Sequence, residues 1–360
     1  TGIYTKELAI TSELEPHQFT IYGGIAANRL VKTLALTGRI FWQSSHRQAL
    51  VLSVRNKNFW QKGETAELIV RQSKNNGGFI SAEDLANYKA IERDPITGIY
   101  RGKNIISMGP PSSGGIALIE ALNSMEHFKF NENEWGSSNY IHTVSEVLKY
   151  VYADRAEHLG DEDFYPVPKD WLLSKTRGEK IASQITDIAK PSNQISHAIP
   201  PKKESEETTH YSVIDSKGNA VSVTTTLNST FGNKIVVDGA GFILNNEMDD
   251  FSAKPGTPNQ FGLLGGEANS IEPNKRMLSA MTPTIVLDNS NRPYLVVGSP
   301  GGSTIITTVL QIILNVIDFN MDIQEAINQP RFHHQWKPER IDFEKYGMTE
   351  DVKNNLKLKG

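Results

Sequence analysis

Glu207-Thr208-Thr209-His210-Tyr211-Ser212-Val213-Ile214-Asp215 is the stretch on which the reading of this chain turns. A polar run rich in proline, lysine and glutamate, residues 200–207, leads into it, and β-branched residues in a strand-like pattern follow at once. On these residues alone, Thr208-Thr209-His210 reads most simply as the opening of a strand. A hydroxyl residue at such a seam also has a second reading. Cleavage between Glu207 and Thr208 would leave Thr208 with a hydroxyl nucleophile and a free α-amine. An α-amino group titrates near pH ~8, so it can act as the base for its own side chain.

Strands dominate after this stretch. Residues 211–215 and 220–226 flank Ser216-Lys217-Gly218-Asn219, a hairpin signal. Residues 284–287 and 294–297 flank a second one, Asp288-Asn289-Ser290-Asn291. Residues 305–318 predict an apolar helix, and Gln324-Glu325-Ala326-Ile327 begins a shorter one.

Helices dominate before it. Residues 138–158 give the strongest signal, with Ile141, Val144, Val147, Leu148 and Val151 forming a broad apolar stripe and Gly160 as the stop. Helices are also predicted over 26–40, closed by Gly38; over 59–75, stopped by Gly77-Gly78; from Ser81 as N-cap; and over 171–188. Residues 98–108 read as a strand pair turning at Arg101-Gly102. Pro110-Pro111-Ser112-Ser113-Gly114-Gly115 follows and opens a helix burying Ile116, Ile119, Leu122 and Met125. Such a loop can hold an anion at the helix N-terminus. A tight strand-to-helix turn packed near the site fits better, because no Lys-Ser/Thr follows as a phosphate loop requires.

With 360 residues, 38% hydrophobic and 22% charged, the chain is long enough for one large α/β domain with a substantial core. A net charge of -4 implies no field for nucleic acid or an anionic membrane. The absence of cysteine excludes disulfides, thiolate metal sites and a cysteine nucleophile. No stretch is long and apolar enough to span a bilayer. The first residues carry no signal-peptide core and no starting Met, so an upstream segment is expected to have been removed or never included.

Three further motifs carry chemistry. Gly301-Gly302 follows a predicted strand; consecutive glycines let main-chain amides converge on one point, as an oxyanion hole requires, although a plain turn has the same composition. Asn246-Glu247-Met248-Asp249-Asp250 is either a solvated acidic turn or a cation site, and it lacks the alternating carboxylates of a calcium loop. His333-His334 is not a zinc pattern, because adjacent side chains diverge.

Taken in order, Thr208-Thr209-His210-Tyr211-Ser212-Val213, Thr224-Thr225-Thr226-Leu227-Asn228-Ser229-Thr230-Phe231-Gly232, Leu244-Asn245-Asn246-Glu247-Met248-Asp249-Asp250-Phe251 and Gly298-Ser299-Pro300-Gly301-Gly302-Ser303 resemble the γ-glutamyltranspeptidase family. The resemblance runs from about Phe59 to the segment ending at Trp336. It implies an N-terminal-nucleophile hydrolase with a four-layer αββα sandwich, here incomplete. Residues 1–207 would be the C-terminal part of a large-subunit region and 208–360 a small-subunit region, within one structural domain.

The implied activity is hydrolysis or transfer of γ-glutamyl groups from glutathione and related amides to water, amino acids or peptides. It would run through a γ-glutamyl-Thr208 ester after self-cleavage, with no cofactor and no metal, in the periplasm or outside the cell. Thr226 would hydrogen-bond the Thr208 hydroxyl, and Gly301 and Gly302 would form the oxyanion hole. Asn228, Glu247 and Asp250 would hold the donor's α-ammonium by charge-assisted hydrogen bonds. Ser279 would hold its α-carboxylate.

The departures are specific. The family pairs two serines where this chain has Ser279-Ala280, and it takes an arginine from an Arg-Glu-x-Ala-Pro-like segment with no counterpart here. Phe261 stands where the family has a lid tyrosine, and both ends look incomplete. Two alternatives therefore remain at this level: a glutaryl acylase or poly-γ-glutamate depolymerase, and a degenerate homologue without activity.

Overall fold

A computed structural model of the protein describes residues 61–195 and 208–360, together with four short strands nearer the N-terminus, Ala9–Ile10, Ile21–Tyr22, Arg39–Gln43 and Ala49–Ser53. The helix expected over 26–40 lies outside the described residues, except that Arg39 and Ile40 belong to a strand. Glu207 and the linker before it also lie outside them.

The chain forms two compact units. The smaller takes in residues 61–92 and Phe231–Asn245. Its main helix is Glu64–Asn75, and a shorter one, Ala82–Asn87, starts at a capping box in which Ser81 Oγ accepts from Asp84 N at 3.1 Å and Ser81 N donates to the Asp84 carboxylate at 2.8 Å. Strands Val236–Val237 and Phe242–Ile243 pair antiparallel.

The larger unit, Arg93–Thr230 with Asn246–Gly360, is built on a four-stranded antiparallel sheet. Its spatial order is Pro293–Val297, Thr284–Leu287, Lys103–Ser107, Ile96–Tyr100. Two hairpins far apart in sequence meet at its centre, with Thr284 opposite Ser107 and Val286 opposite Ile105. The first turns at Arg101 (φ 48°) and Gly102 (φ 77°), the doubly left-handed corner that a two-residue hairpin needs. Strand periodicity puts Ile96, Tyr100, Ile105, Val286, Leu295 and Val297 on one face, and all are buried there.

Helices Gly114–Met125 and Thr304–Ile317 join that face in one hydrophobic core. Gly98 sits under the first of them, because a Cβ there would lie 2.7 Å from Ile119. The hairpin Thr209–Ile214 with Ala220–Thr225 stacks on the sheet at its Pro293–Val297 edge; Ser212 Oγ donates to Val296 O and Ser222 Oγ to Val297 O, each at 3.1 Å. Helices, sheet and hairpin thus make three successive layers, α, β and β.

The helix Ser138–His158 buries the expected stripe and takes Ser137 as N-cap. Gly160 does not end it by a left-handed turn. A side chain there would meet Ala268 O at 2.1 Å, so the glycine allows a close backbone approach. The single helix expected over 171–188 is instead two, Lys169–Leu172 and Lys175–Ala182. Ser174 caps the second by accepting from Arg177 N at 3.1 Å, and that local bond stops the first helix from continuing. Pro110-Pro111-Ser112-Ser113-Gly114-Gly115 is a strand-to-helix turn with its amides already used: Ser113 N donates to Ser279 O (2.8 Å), Gly115 N to Met108 O (3.1 Å) and Gly114 N to Ser112 Oγ (3.2 Å). Side chains at Gly114 or Gly115 would meet Met281 O at 2.4 Å or Met108 O at 2.3 Å.

Candidate active site

Hairpin register places the first two site residues. Asp215 Oδ1 accepts from Lys217 N (2.9 Å) and Asn219 N (2.8 Å), which fixes the turn and sets Thr209 opposite Thr225. One step beyond that pair, Thr208 Oγ1 donates to Thr226 Oγ1 across a long 3.4 Å contact. Thr226 Oγ1 also accepts from Asn228 N at 2.8 Å.

Asn228 is buried and left-handed (φ 71°), a backbone state asparagine tolerates better than most residues. Its side chain donates to Asn246 O at 3.2 Å and faces Asp250, where it favours the charged carboxylate. Asn246 ties the acidic turn to the hairpin a second and third time, through its amide to Leu227 O (3.1 Å) and its side-chain oxygen from Ser229 N (2.9 Å). The turn Glu247–Asp250 therefore sits directly beyond the Thr208–Thr226 pair.

Burial dominates the electrostatics of this turn. It pushes Glu247 up to about 8, helped by the Asp250 charge. It pushes Asp250 up to about 7, where Arg155 and Asn228 pull the carboxyl down and Asp249 raises it. Two acidic groups held partly protonated near neutrality suit an incoming cation, whose arrival would favour both carboxylates.

Asn259 Nδ2 reaches Asp250 Oδ1 at 3.5 Å, and its side-chain oxygen accepts from Phe261 N at 2.9 Å. Phe261 is buried with its ring against Gly302, where an added Cβ would lie 2.9 Å from the ring. Gly301 (φ 131°) and Gly302 (φ 53°) precede the Thr304–Ile317 helix; Thr304 N donates to Gly301 O at 2.9 Å, and Tyr152 Oη holds Ser303 O at 2.6 Å. The pair stands at a helix N-terminus, where partial positive charge gathers. Ser279, buried, accepts from Met281 N at 3.0 Å, and its hydroxyl proton meets no acceptor among the described residues.

His210 orients the strand that starts at Thr208. Its Nε2 bonds Ser212 Oγ (3.0 Å) and its Nδ1 bonds Thr224 Oγ1 (2.9 Å). Ser212 gives its own proton to Val296 O, so Nε2 carries the ring hydrogen and Nδ1 accepts. Burial lowers this histidine to about 4, which keeps it neutral. The ring occupies the space of a Gly298 side chain, with Nδ1 at 2.2 Å from the Cβ position. Gly298→Ala is expected to cost about 1–3 kcal/mol through overpacking and to slow any reaction of Thr208. Urea unfolding with a His210→Ala/Gly298→Ala double variant checks this. The double variant should regain stability relative to Gly298→Ala, and plain additivity would disprove the contact.

A separate cavity of about 690 Å³ takes in His210, Ser212, Phe332 and His333 but neither Thr208 nor Asp250. Among the described residues no group of three or more His, Asp or Glu could hold a metal ion, and no helix is long and apolar enough to cross a membrane. The structure thus brings Thr208, Thr226, Asn228, Glu247 and Asp250 into one continuous array and places Phe261 on Gly302. Sequence reasoning named Asn246 in the acidic turn without giving it a role, and missed Arg155, Asn259 and Asn269. The Asp154-Arg155 pair in the last turn of an apolar helix is their one visible signal, and it reads equally well as a charge on the helix dipole.

A model of the γ-glutamyltranspeptidase family matches residues 47–360. The chain is 52% identical over 301 residues to the glutathione hydrolase proenzyme of Escherichia coli (strain K12), covering 83% of this chain and 51% of that one. It is 42% identical over 323 residues to the glutathione hydrolase proenzyme of Pseudomonas sp. (strain A14), covering 89% and 56%. The chain therefore spans about half the length of these curated relatives. Cephalosporin acylase from Bacillus halodurans, 24% identical, covers 84% of this chain and 52% of its own at a TM-score of 0.67, a likeness of fold. That fold is the α/β sandwich of N-terminal-nucleophile hydrolases, and the chain belongs to the γ-glutamyltranspeptidase family.

Proposed function

We propose that the protein hydrolyses or transfers γ-glutamyl groups of glutathione and related amides through an ester on Thr208, after self-cleavage between Glu207 and Thr208. The observation that carries this reading is the path from the Thr208 hydroxyl through Thr226 and Asn228 to the half-buried Glu247 and Asp250. It supports a nucleophile close to two acidic side chains suited to an ammonium group.

In this mechanism the Thr208 hydroxyl oxygen attacks the donor's γ-carbonyl carbon while its proton passes to the freed Thr208 amine. Thr226 orients the hydroxyl. The Gly301 and Gly302 amides receive the oxyanion. The leaving amine takes the proton, and water or the amine of an amino acid or peptide then resolves the ester. Asn228, Glu247 and Asp250 hold the donor ammonium and Ser279 its carboxylate. The two regions, 1–207 and 208–360, would remain together as subunits of one precursor, in the periplasm or outside the cell, with no role for nucleic acid.

A denaturing gel and intact mass measurement test the reading. The wild type is expected to give two fragments cut before Thr208 and, with a γ-glutamyl anilide, a transient mass gain on Thr208; Thr208→Ala should give one band and no turnover. A wild-type chain that stays whole through prolonged incubation would overturn it. Faster use of the glutaryl analogue, which lacks the ammonium, would point to an acylase instead.

A further inference from the structure

The two halves of the donor pocket come from distant parts of the chain, Asp250 from the acidic turn and Ser279 from the approach to the sheet. Two links join them. The side chain of Asn269, buried, donates to Asp250 O at 2.7 Å and accepts from Leu278 N, next to Ser279, at 2.9 Å. The second link runs through Arg155, whose charge the mechanism above does not use.

Arg155 is 4% exposed, at the end of the Ser138–His158 helix. Its Nε donates to Ser113 Oγ at 2.9 Å, and Ser113 Oγ donates in turn to Ser279 O at 2.7 Å. Ser113 N reaches the same carbonyl at 2.8 Å, and Ser279 N returns a bond to Pro111 O at 3.0 Å. The serine pair in the Pro110–Gly115 turn thus has a purpose beyond changing chain direction. On its other side Arg155 lines one small cavity with Asp250, Asn259 and Asn269. The charged groups acting on Asp250 are Arg155 on the helix and Asp249 and Glu247 on its own turn, so Arg155 is the single attractive charge among them.

We propose that Arg155 is a positioning residue of the donor site, countercharging Asp250 on one side and, through Ser113, fixing the Ser279 main chain on the other. An uncompensated buried arginine would be costly, and a buried guanidinium with a planar fork of donors is suited to bridging two such groups. Removing its charge should leave Asp250 protonated over a wider pH range. The cost should fall on donors that carry an ammonium. Cutting the Ser113 link should instead loosen the carboxylate half, which a glutamyl and a glutaryl donor share. The proposal rests on the γ-glutamyl reading for its kinetic consequences only.

The test uses the intact, matured protein with 13C-labelled aspartate carboxyls, the Asp250 resonance being the one lost in Asp250→Asn. Arg155→Met should move its titration midpoint up by about one pH unit or more, and Arg155→Lys by a few tenths at most. Alongside, Arg155→Met should lower kcat/KM at neutral pH about tenfold further for a γ-glutamyl anilide than for the glutaryl analogue, one pH unit's worth, the glutaryl analogue losing no more than it does in Ser113→Ala. Ser113→Ala should raise KM for both donors alike. An unmoved Asp250 midpoint in Arg155→Met would overturn the proposal, as would equal losses on both donors in that variant. If Arg155→Met does not fold, Arg155→Lys and Ser113→Ala still decide it: a large Asp250 shift in the lysine variant, or no change in KM for either donor in the serine variant, overturns it. A wild type that turns over neither donor would refute the functional reading while the carboxyl titration still tests Arg155.

Discussion

Asp250→Asn is expected to lower kcat/KM for a γ-glutamyl anilide by about two to three orders of magnitude, because leaving one member of a buried charge pair alone costs about 3–5 kcal/mol. The glutaryl analogue should lose far less, since it offers no ammonium. The wild-type pH profile carries the same information. Burial raises Asp250 to about 7 and Glu247 to about 8, so both are largely protonated at pH 5 and acquire their charges as pH rises through that window. The glutamyl donor should therefore gain efficiency from pH 6 to 8 and lose it again once its own amine deprotonates, a bell-shaped profile. Asp250→Asn should flatten the acid limb. The same raised values set the stability trend of the empty site. The protonated forms are favoured by folding, so their contribution is fully present below the ordinary carboxylate range and is lost as pH rises through about 7 to 8. Equal losses on the two donors would show that Asp250 serves the fold and not the ammonium.

Gly302→Ala is the second large effect. At φ 53° an alanine costs about 1–2 kcal/mol in the left-handed region. Its Cβ would stand 2.9 Å from the Phe261 ring, which is buried and cannot swing into solvent. The glycine pair must then rotate, and its amides turn away from the oxyanion they are proposed to receive. Loss of one oxyanion donor lowers kcat by about 10²–10³-fold. Because the oxyanion exists only in the transition state, KM should hardly move. Adding Phe261→Leu should relieve the clash but not the backbone strain, giving partial recovery. A turnover number within about threefold of wild type would remove Gly302 from this role.

Turn chemistry and strand periodicity made most of the fold legible. Asp215 to Asn219 and Arg101-Gly102 specify tight corners, and the first of these corners alone sets Thr208 against Thr226. The break at Ser174 was not legible, because apolar spacing runs through 171–188 and a local capping bond decides it. Glu247 and Asp250 stood out as carboxylates of one acidic turn, and the family resemblance singled out Asn228. Arg155, Asn259 and Asn269 did not: their partners lie far away in sequence or across a turn, and nothing local distinguishes a bridging asparagine from a surface one. The glycines at 114, 115, 160 and 298 were legible as glycines but not for their reasons, since each faces an atom brought from elsewhere in the chain.

The sheet's central seam has a consequence for the order of events in the life of the chain. Lys103–Ser107 and Thr284–Leu287 pair directly, and the proposed cleavage point lies between them in sequence. While the chain is whole, the two hairpins search for each other as ends of one tether, and the cost of closing that long loop grows only with the logarithm of its length. Once cut, the same encounter would become a meeting of two separate molecules, governed by concentration and without the high effective molarity a covalent link provides. Cleavage ahead of folding would strand each half with an open sheet edge, prone to pairing with the wrong strand. A nucleophile that becomes reactive only when the turn at Asp215 has set Thr208 against Thr226 ties scission to a completed hairpin, so the covalent tether would be released after the seam has replaced it.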